Sequence, residues 1–162
     1  MSDAPSFVPP QPGPEHEALL RKVGEWKIAC EFYMGPGMPP MQAEAEETME
    51  AFGPFWVMSR FRADMMGFPF EGRASMGFNS FTGCYECTWI DSMTNILHHY
   101  SGKMDGKVLE MTGEAIDWQS GQPASYRVRE EHHSDDEFVF EMFMQREGEE
   151  EFRTMRNHYK RA

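Results

Sequence analysis

Gly67-Phe68-Pro69-Phe70-Glu71-Gly72-Arg73-Ala74-Ser75-Met76-Gly77-Phe78-Asn79-Ser80-Phe81-Thr82-Gly83-Cys84-Tyr85-Glu86-Cys87-Thr88-Trp89-Ile90-Asp91-Ser92 contains two alternating segments on either side of a short polar turn. Phe68, Phe70, Gly72, Ala74, Met76 and Phe78 share one face of the first segment; Tyr85, Cys87 and Trp89 share one face of the second. Period-two alternation interrupted by an Asn/Ser/Thr/Gly cluster predicts an antiparallel hairpin with one buried face. The same period continues in both directions. It predicts about ten strands, near 25–34, 41–52, 55–65, 68–78, 84–91, 96–102, 107–117, 124–133, 137–146 and 151–161. Between them stand turn residues such as Gly53-Pro54, Met104-Asp-Gly106, Ser120-Gly-Gln-Pro123 and Ser134-Asp-Asp136.

So many strands in 162 residues leave no room for crossover helices, so the sheet is antiparallel. Closing it removes both exposed edges, and the fold expected is an all-β, closed up-and-down barrel. Before it, Met1 to Pro14 carries too many prolines for helix or central strand and is read as a flexible extended arm, leaving 15–162 as one barrel domain. Ala18, Leu19 and Val23 fit a short amphipathic helix over Glu15–Val23, closed by Gly24.

A net charge of −12 argues against a nucleic-acid partner, which needs clustered Lys and Arg, and against anionic membrane surfaces. No apolar run reaches the length of a membrane span, and the first residues lack the pattern of a secretory signal, so a cytoplasmic location is expected. Three cysteines fit reduced thiols. Cys84 and Cys87 are three apart on a strand and point to opposite faces, unlike a redox C-x-x-C at a helix start.

Gly24-Glu25-Trp26 at the first strand and Tyr159-Lys-Arg161 at the last resemble the calycin arrangement of lipocalins and fatty-acid-binding proteins. That resemblance implies a tryptophan plugging one barrel end and an arginine packed over it, a pairing that cation–π attraction favours. The ordered set Gly-x-Trp, Gly35-Pro-Gly-Met-Pro-Pro40, Met66-Gly-Phe-Pro-Phe-Glu-Gly72, Gly77-Phe-Asn79, Trp89-Ile-Asp-Ser92 and the final Tyr-x-Arg covers about residues 16–161. It resembles the bacterial, calycin-like family known as domain of unknown function 1579. Phe52-Gly-Pro-Phe55 replaces that family's usual Gly-Gly-Arg, and Phe78-Asn79 its usual Tyr-Asp. The resemblance implies architecture and assigns no activity.

Alternation places Trp26, Phe61, Phe70, Met76, Trp89, Met111, Phe140 and Tyr159 inside, with Asp91 as a polar anchor near the barrel mouth and Trp26 and Arg161 closing the other end. About ten strands usually enclose more space than side chains fill, so the expected function is binding of a small apolar or amphipathic molecule. The methionines of Met34 to Met41 suit apolar contacts of a Pro-stiffened loop. The doublets His98-His99 and His132-His133 each put one imidazole inward; His98, His132 and Glu130 together form a candidate acid/base or metal site. Haem-binding nitrobindins are also calycin-like barrels with a late histidine ligand, which makes His158 the candidate for a haem alternative. However, Met155 and Tyr159 share one parity and His158 has the other, which turns it outward unless a bulge intervenes. No cofactor and no metal are expected on the main reading. The third alternative is a structural module with a solid core that forms a homodimer.

Overall fold

The computed structural model describes residues 6–162, so the first five residues of the expected Pro-rich arm lie outside the described residues. Residues 6–13 run without secondary structure into helix α1 (Pro14–Leu20). Ten strands follow: β1 (Gly24–Phe32), β2 (Met41–Phe52), β3 (Trp56–Met65), β4 (Phe68–Asn79), β5 (Cys84–Asp91), β6 (His98–Asp105), β7 (Val108–Ile116), β8 (Pro123–Ser134), β9 (Glu137–Arg146) and β10 (Phe152–Arg161). Each pairs antiparallel with its neighbour in sequence, and β1 pairs with β10 to close the barrel.

Two boundaries differ from the sequence reading by three residues, the others by two or fewer. The β6–β7 turn is tighter than expected: Asp105 pairs with Val108, and Gly106 (φ +59°) takes the left-handed position of a two-residue hairpin, so Met104 stays in the strand. The helix stops at Leu20 instead of running to Val23, and the Lys22 and Val23 amides donate to the carbonyls of Leu19 and Leu20. That tight turn releases Lys22 from the helix surface. Phe68 also differs from expectation, because it lies beyond the last rung of the core and is 71% exposed.

The inward faces of the strands build one contiguous core, from Trp26, Ile28 and Cys30 through Val57, Phe61 and Met76 to Val128, Phe138 and Tyr159. A bulge between Arg153 and Met155 lets both Phe152 and Met155 face inward opposite Met144 and Met142, then restores the alternation that leaves His158 outside. Strand stagger tilts the register across the wall. The paired row Trp26–Glu47–Phe61–Gly72–Asp91 therefore climbs from one end of the barrel to the other.

Helix α1 is pinned over β3 and β4. His16 is buried; its Nδ1 accepts from the Gly13 amide at 2.9 Å and its Nε2 donates to the Phe78 carbonyl at 3.1 Å, with Phe55 and Phe78 edge-on around the ring. The helix therefore covers the barrel end at which β1 begins and β10 finishes.

Candidate functional site

At that covered end Trp26 is buried, donates from Nε1 to the Lys22 carbonyl at 2.8 Å, and meets Phe138 and Tyr159 edge-on. The Arg161 guanidinium lies 4.4 Å above the indole. The opposite end has a different character. Phe32, Ala43, Ala63, Phe70, Trp89, Asp91, His98 and Met142 face inward there, yet each keeps part of its surface accessible. Deeper in the barrel, inward-facing Cys87 and Phe140 do so as well. The barrel is thus plugged at one end and less completely covered at the other, its open end.

The open end is walled by an aromatic corner. Phe61 meets Phe70 and Trp89 edge-on at 5.9 Å in each case, and Phe70 stacks on Trp89 at 6.5 Å. Gly72 makes this corner possible, because a Cβ there would overlap the Trp89 ring. Asp91 holds the indole, accepting from Trp89 Nε1 at 3.1 Å on one oxygen and from the Met93 and Thr94 amides on the other. Its carboxylate is thereby engaged in fixing Trp89 and the β5–β6 loop. Beside Trp89, at the paired position of β6, His98 shares a hydrogen bond of 2.9 Å with the Tyr100 hydroxyl and lies edge-on to Tyr126; burial pushes its pKa down, favouring the neutral ring.

Below the aromatic corner the interior becomes polar. Lys22 reaches in from the helix end and places Nζ 2.9 Å from both Glu130 oxygens, 3.5 Å from Met76 Sδ and 4.8 Å from the centre of the Phe138 ring. His132 stacks on Phe138 and hydrogen-bonds Glu130 at 3.1 Å. Burial alone would raise the Glu130 pKa, but Lys22 and His132 outweigh it and hold the carboxyl at about 2. Burial raises the pKa of Glu47, an effect that the Ser59 and Tyr159 hydroxyls and the Lys22 charge offset only in part. Ser59 Oγ and Asn157 Oδ1 are buried without a hydrogen-bond partner among the described residues.

The nine interior residues expected from the sequence divide between the two ends. Phe61, Phe70, Trp89 and Asp91 converge on the open end and Phe140 stands on another wall, whereas Trp26, Met76, Met111 and Tyr159 are packed in the closed half. His98 and His132 lie near opposite ends, on the first residue of β6 and late in β8, and make separate contacts. Among the described residues no three His, Cys, Asp or Glu side chains are placed to share a metal ion. His158 lies on the outer face, hydrogen-bonded to Glu137, so it offers no ligand to a haem inside the barrel. Outside the barrel, grooves of about 550 Å³ beneath the β1–β2 loop and about 760 Å³ over β1, β2 and β10 are open to solvent.

Reasoning from sequence missed Lys22, Glu47, Ser59 and Asn157. Glu47 carried a signal, since it holds the inward parity of Ala43, Ala45 and Met49 in β2. Lys22 carried none, because its direction depends on where the helix stops.

The family described as "Protein of unknown function (DUF1579)" matches residues 11–161. The chain belongs to this family. Among solved structures, the crystal structure of Rv2717c from M. tuberculosis is similar with a TM-score of 0.65 and 16% identity over 94% of this chain and 99% of that one. A de novo designed fluorescence-activating beta barrel is similar with a TM-score of 0.50 and 16% identity over 90% of this chain and 97% of that one. These likenesses concern the barrel fold. No curated protein matches the chain, and among the described residues no helix is long and apolar enough to cross a membrane.

Proposed function

We propose that this DUF1579 protein is a calycin-like binding barrel that takes up a small apolar or amphipathic molecule through its open end. The observation that carries the reading is the column of inward-facing side chains with accessible surface, Phe70, Trp89, Cys87 and Phe140, which runs from the rim down to the polar layer. A side chain in a filled core touches neighbours on every side, so accessible surface at mid-barrel points to room for a guest. The fixed indole of Trp89 supplies a rigid apolar wall, and Met142 an adaptable one.

The same geometry favours holding a molecule over transforming it. The ionised groups inside, Lys22 and Glu130, are paired with each other, and the inward thiols are suppressed as nucleophiles: burial pushes both Cys30 and Cys87 up to about 12. On this reading the working form is a cytoplasmic protein whose partner is a small hydrophobic molecule. Native mass spectrometry of the purified protein and uptake of a neutral solvatochromic dye test it, the expected result being a blue-shifted, saturable signal quenched by Trp89→Ala. A dry interior with no dye uptake would leave the solid, self-associating module, which light scattering would then detect as a dimer.

A further inference from the structure

Resting on that binding reading, we infer that the guest is uncharged and carries a hydrogen-bond donor, an alcohol or phenol hydroxyl on an apolar body, and that Ser59 and Asn157 receive it. A fatty-acid carboxylate is the wrong chemistry for this interior.

The interior cation among the described residues is already engaged. Lys22 is the one lysine or arginine among the described residues that is buried, and both oxygens of Glu130 already sit 2.9 Å from its Nζ. A guest carboxylate would have to displace Glu130 and leave that carboxylate uncompensated in the interior, which is among the costliest changes a core can suffer. The protein's net charge of −12 adds a field that repels anions.

Three buried side-chain polar atoms lack a partner among the described residues: Thr94 Oγ1 in the β5–β6 loop, and Ser59 Oγ and Asn157 Oδ1 in the barrel wall. Asn157 is 2% exposed and directs Nδ2 to Met155 Sδ at 3.2 Å, so its Oδ1 is an acceptor awaiting a donor; Ser59 is 4% exposed, and its Oγ lies near the Glu47 carboxyl without a bond of normal geometry among the described residues. A buried polar atom without a partner keeps its desolvation penalty, which a guest hydroxyl would remove. Ser59 stands diagonally across from Glu47, whose burial favours the neutral acid, so the polar layer presents donors and acceptors without free charge.

The loops and strand ends around the open end expose Met34, Met38, Met66, Phe68, Met93 and Trp118 around the aromatic corner of Phe61, Phe70 and Trp89. A collar and wall of this kind match an apolar body following its hydroxyl inward.

Competition against Nile red, with native mass spectrometry in parallel, tests the inference using four probes on one eight-carbon tail: 1-octanol, octyl methyl ether, octanoate and octylammonium. Octanol should bind about tenfold more tightly than the ether, the worth of one buried hydrogen bond, and more tightly than either ion. In Ser59→Ala and in Asn157→Leu, tested separately so that one folded variant suffices, the preference for octanol over the ether should shrink while Nile red still binds. Octanoate or octylammonium equalling octanol, or the ether matching octanol in the unsubstituted protein, would overturn the assignment while leaving a binding barrel. So would an undiminished alcohol preference in both variants. Failure of Nile red and all four probes to bind would instead remove the binding reading itself, and this inference with it.

Discussion

Arg161 lies over Trp26, its guanidinium 4.4 Å from the indole, while its nitrogens donate to the carbonyls of Arg21, Val23 and Asp135 and to the Asp136 carboxylate. One side chain from the last strand thus ties together the helix exit, the β8–β9 turn and the plug of the first strand. Gly24 completes the arrangement: its φ of +138° suits glycine, and a Cβ there would fall 2.5 Å from an Arg161 nitrogen. The Gly-x-Trp and the late arginine form a single closure device.

Removing the guanidinium should therefore open the closed end. Arg161→Ala is expected to destabilise the protein by about 3 kcal/mol in urea unfolding, since several charge-assisted bonds and the cation–π contact are lost together. Arg161→Lys should recover only a small part, because an ammonium cannot reach three carbonyls from above the ring in the same fork geometry. Full recovery by lysine would show that charge alone matters.

The buried pair should behave asymmetrically. Lys22→Met leaves Glu130 charged without its partner and is expected to cost about 3–5 kcal/mol, whereas Lys22→Met combined with Glu130→Leu should restore most of that loss. Chemical denaturation of the two single variants and the double variant measures the coupling.

Glu47 and Glu130 predict opposite responses to pH. The folded pKa of Glu47 lies above its unfolded value, so its favourable contribution is complete below the unfolded pKa and is lost as pH rises through the folded one. Glu47→Gln should accordingly raise Tm at pH 8 and change it little near pH 4. For Glu130 the folded value of about 2 lies below the unfolded one, so its contribution is present above the ordinary carboxylate range and is lost as acid takes the pH down toward 2. Glu130→Gln should flatten that acid limb of the Tm profile.

Thiol chemistry distinguishes inside from outside. Cys30 and Cys87 face inward with pKa values pushed up to about 12, while Cys84 sits on the other face of β5. Maleimide labelling at pH 7 should modify Cys84 quickly, half-buried Cys87 slowly because its thiolate is suppressed, and Cys30 only in denaturant. Rapid modification of all three would contradict the burial described.

Gly72 should be irreplaceable at the open end. Gly72→Ala forces a methyl into the Trp89 ring and is expected to cost about 1–3 kcal/mol through overpacking. The displaced indole should also lose its bond to Asp91, giving a red-shifted Trp89 emission that Asp91→Ala reproduces.

The alternation from Trp26 to Arg161 determined the fold from the sequence alone, because in a strand the side-chain period is fixed by backbone geometry: ten strands, their antiparallel order and the inward set Trp26, Phe61, Phe70, Trp89 and Tyr159 were all legible. Closure by β1 and β10 followed from the need to remove two sheet edges. What the sequence could not reveal depends on three-dimensional stagger and on where local elements stop. The tilt of the register row decides that Phe70, Trp89 and Asp91 stand at the open rim while Trp26, Met76 and Tyr159 are packed at the other end, although all share the same parity. Lys22 turns into the barrel because the helix ends at Leu20, and it meets Glu130 108 positions later. Pairing across such a separation is set by tertiary closure, and no local pattern encodes it.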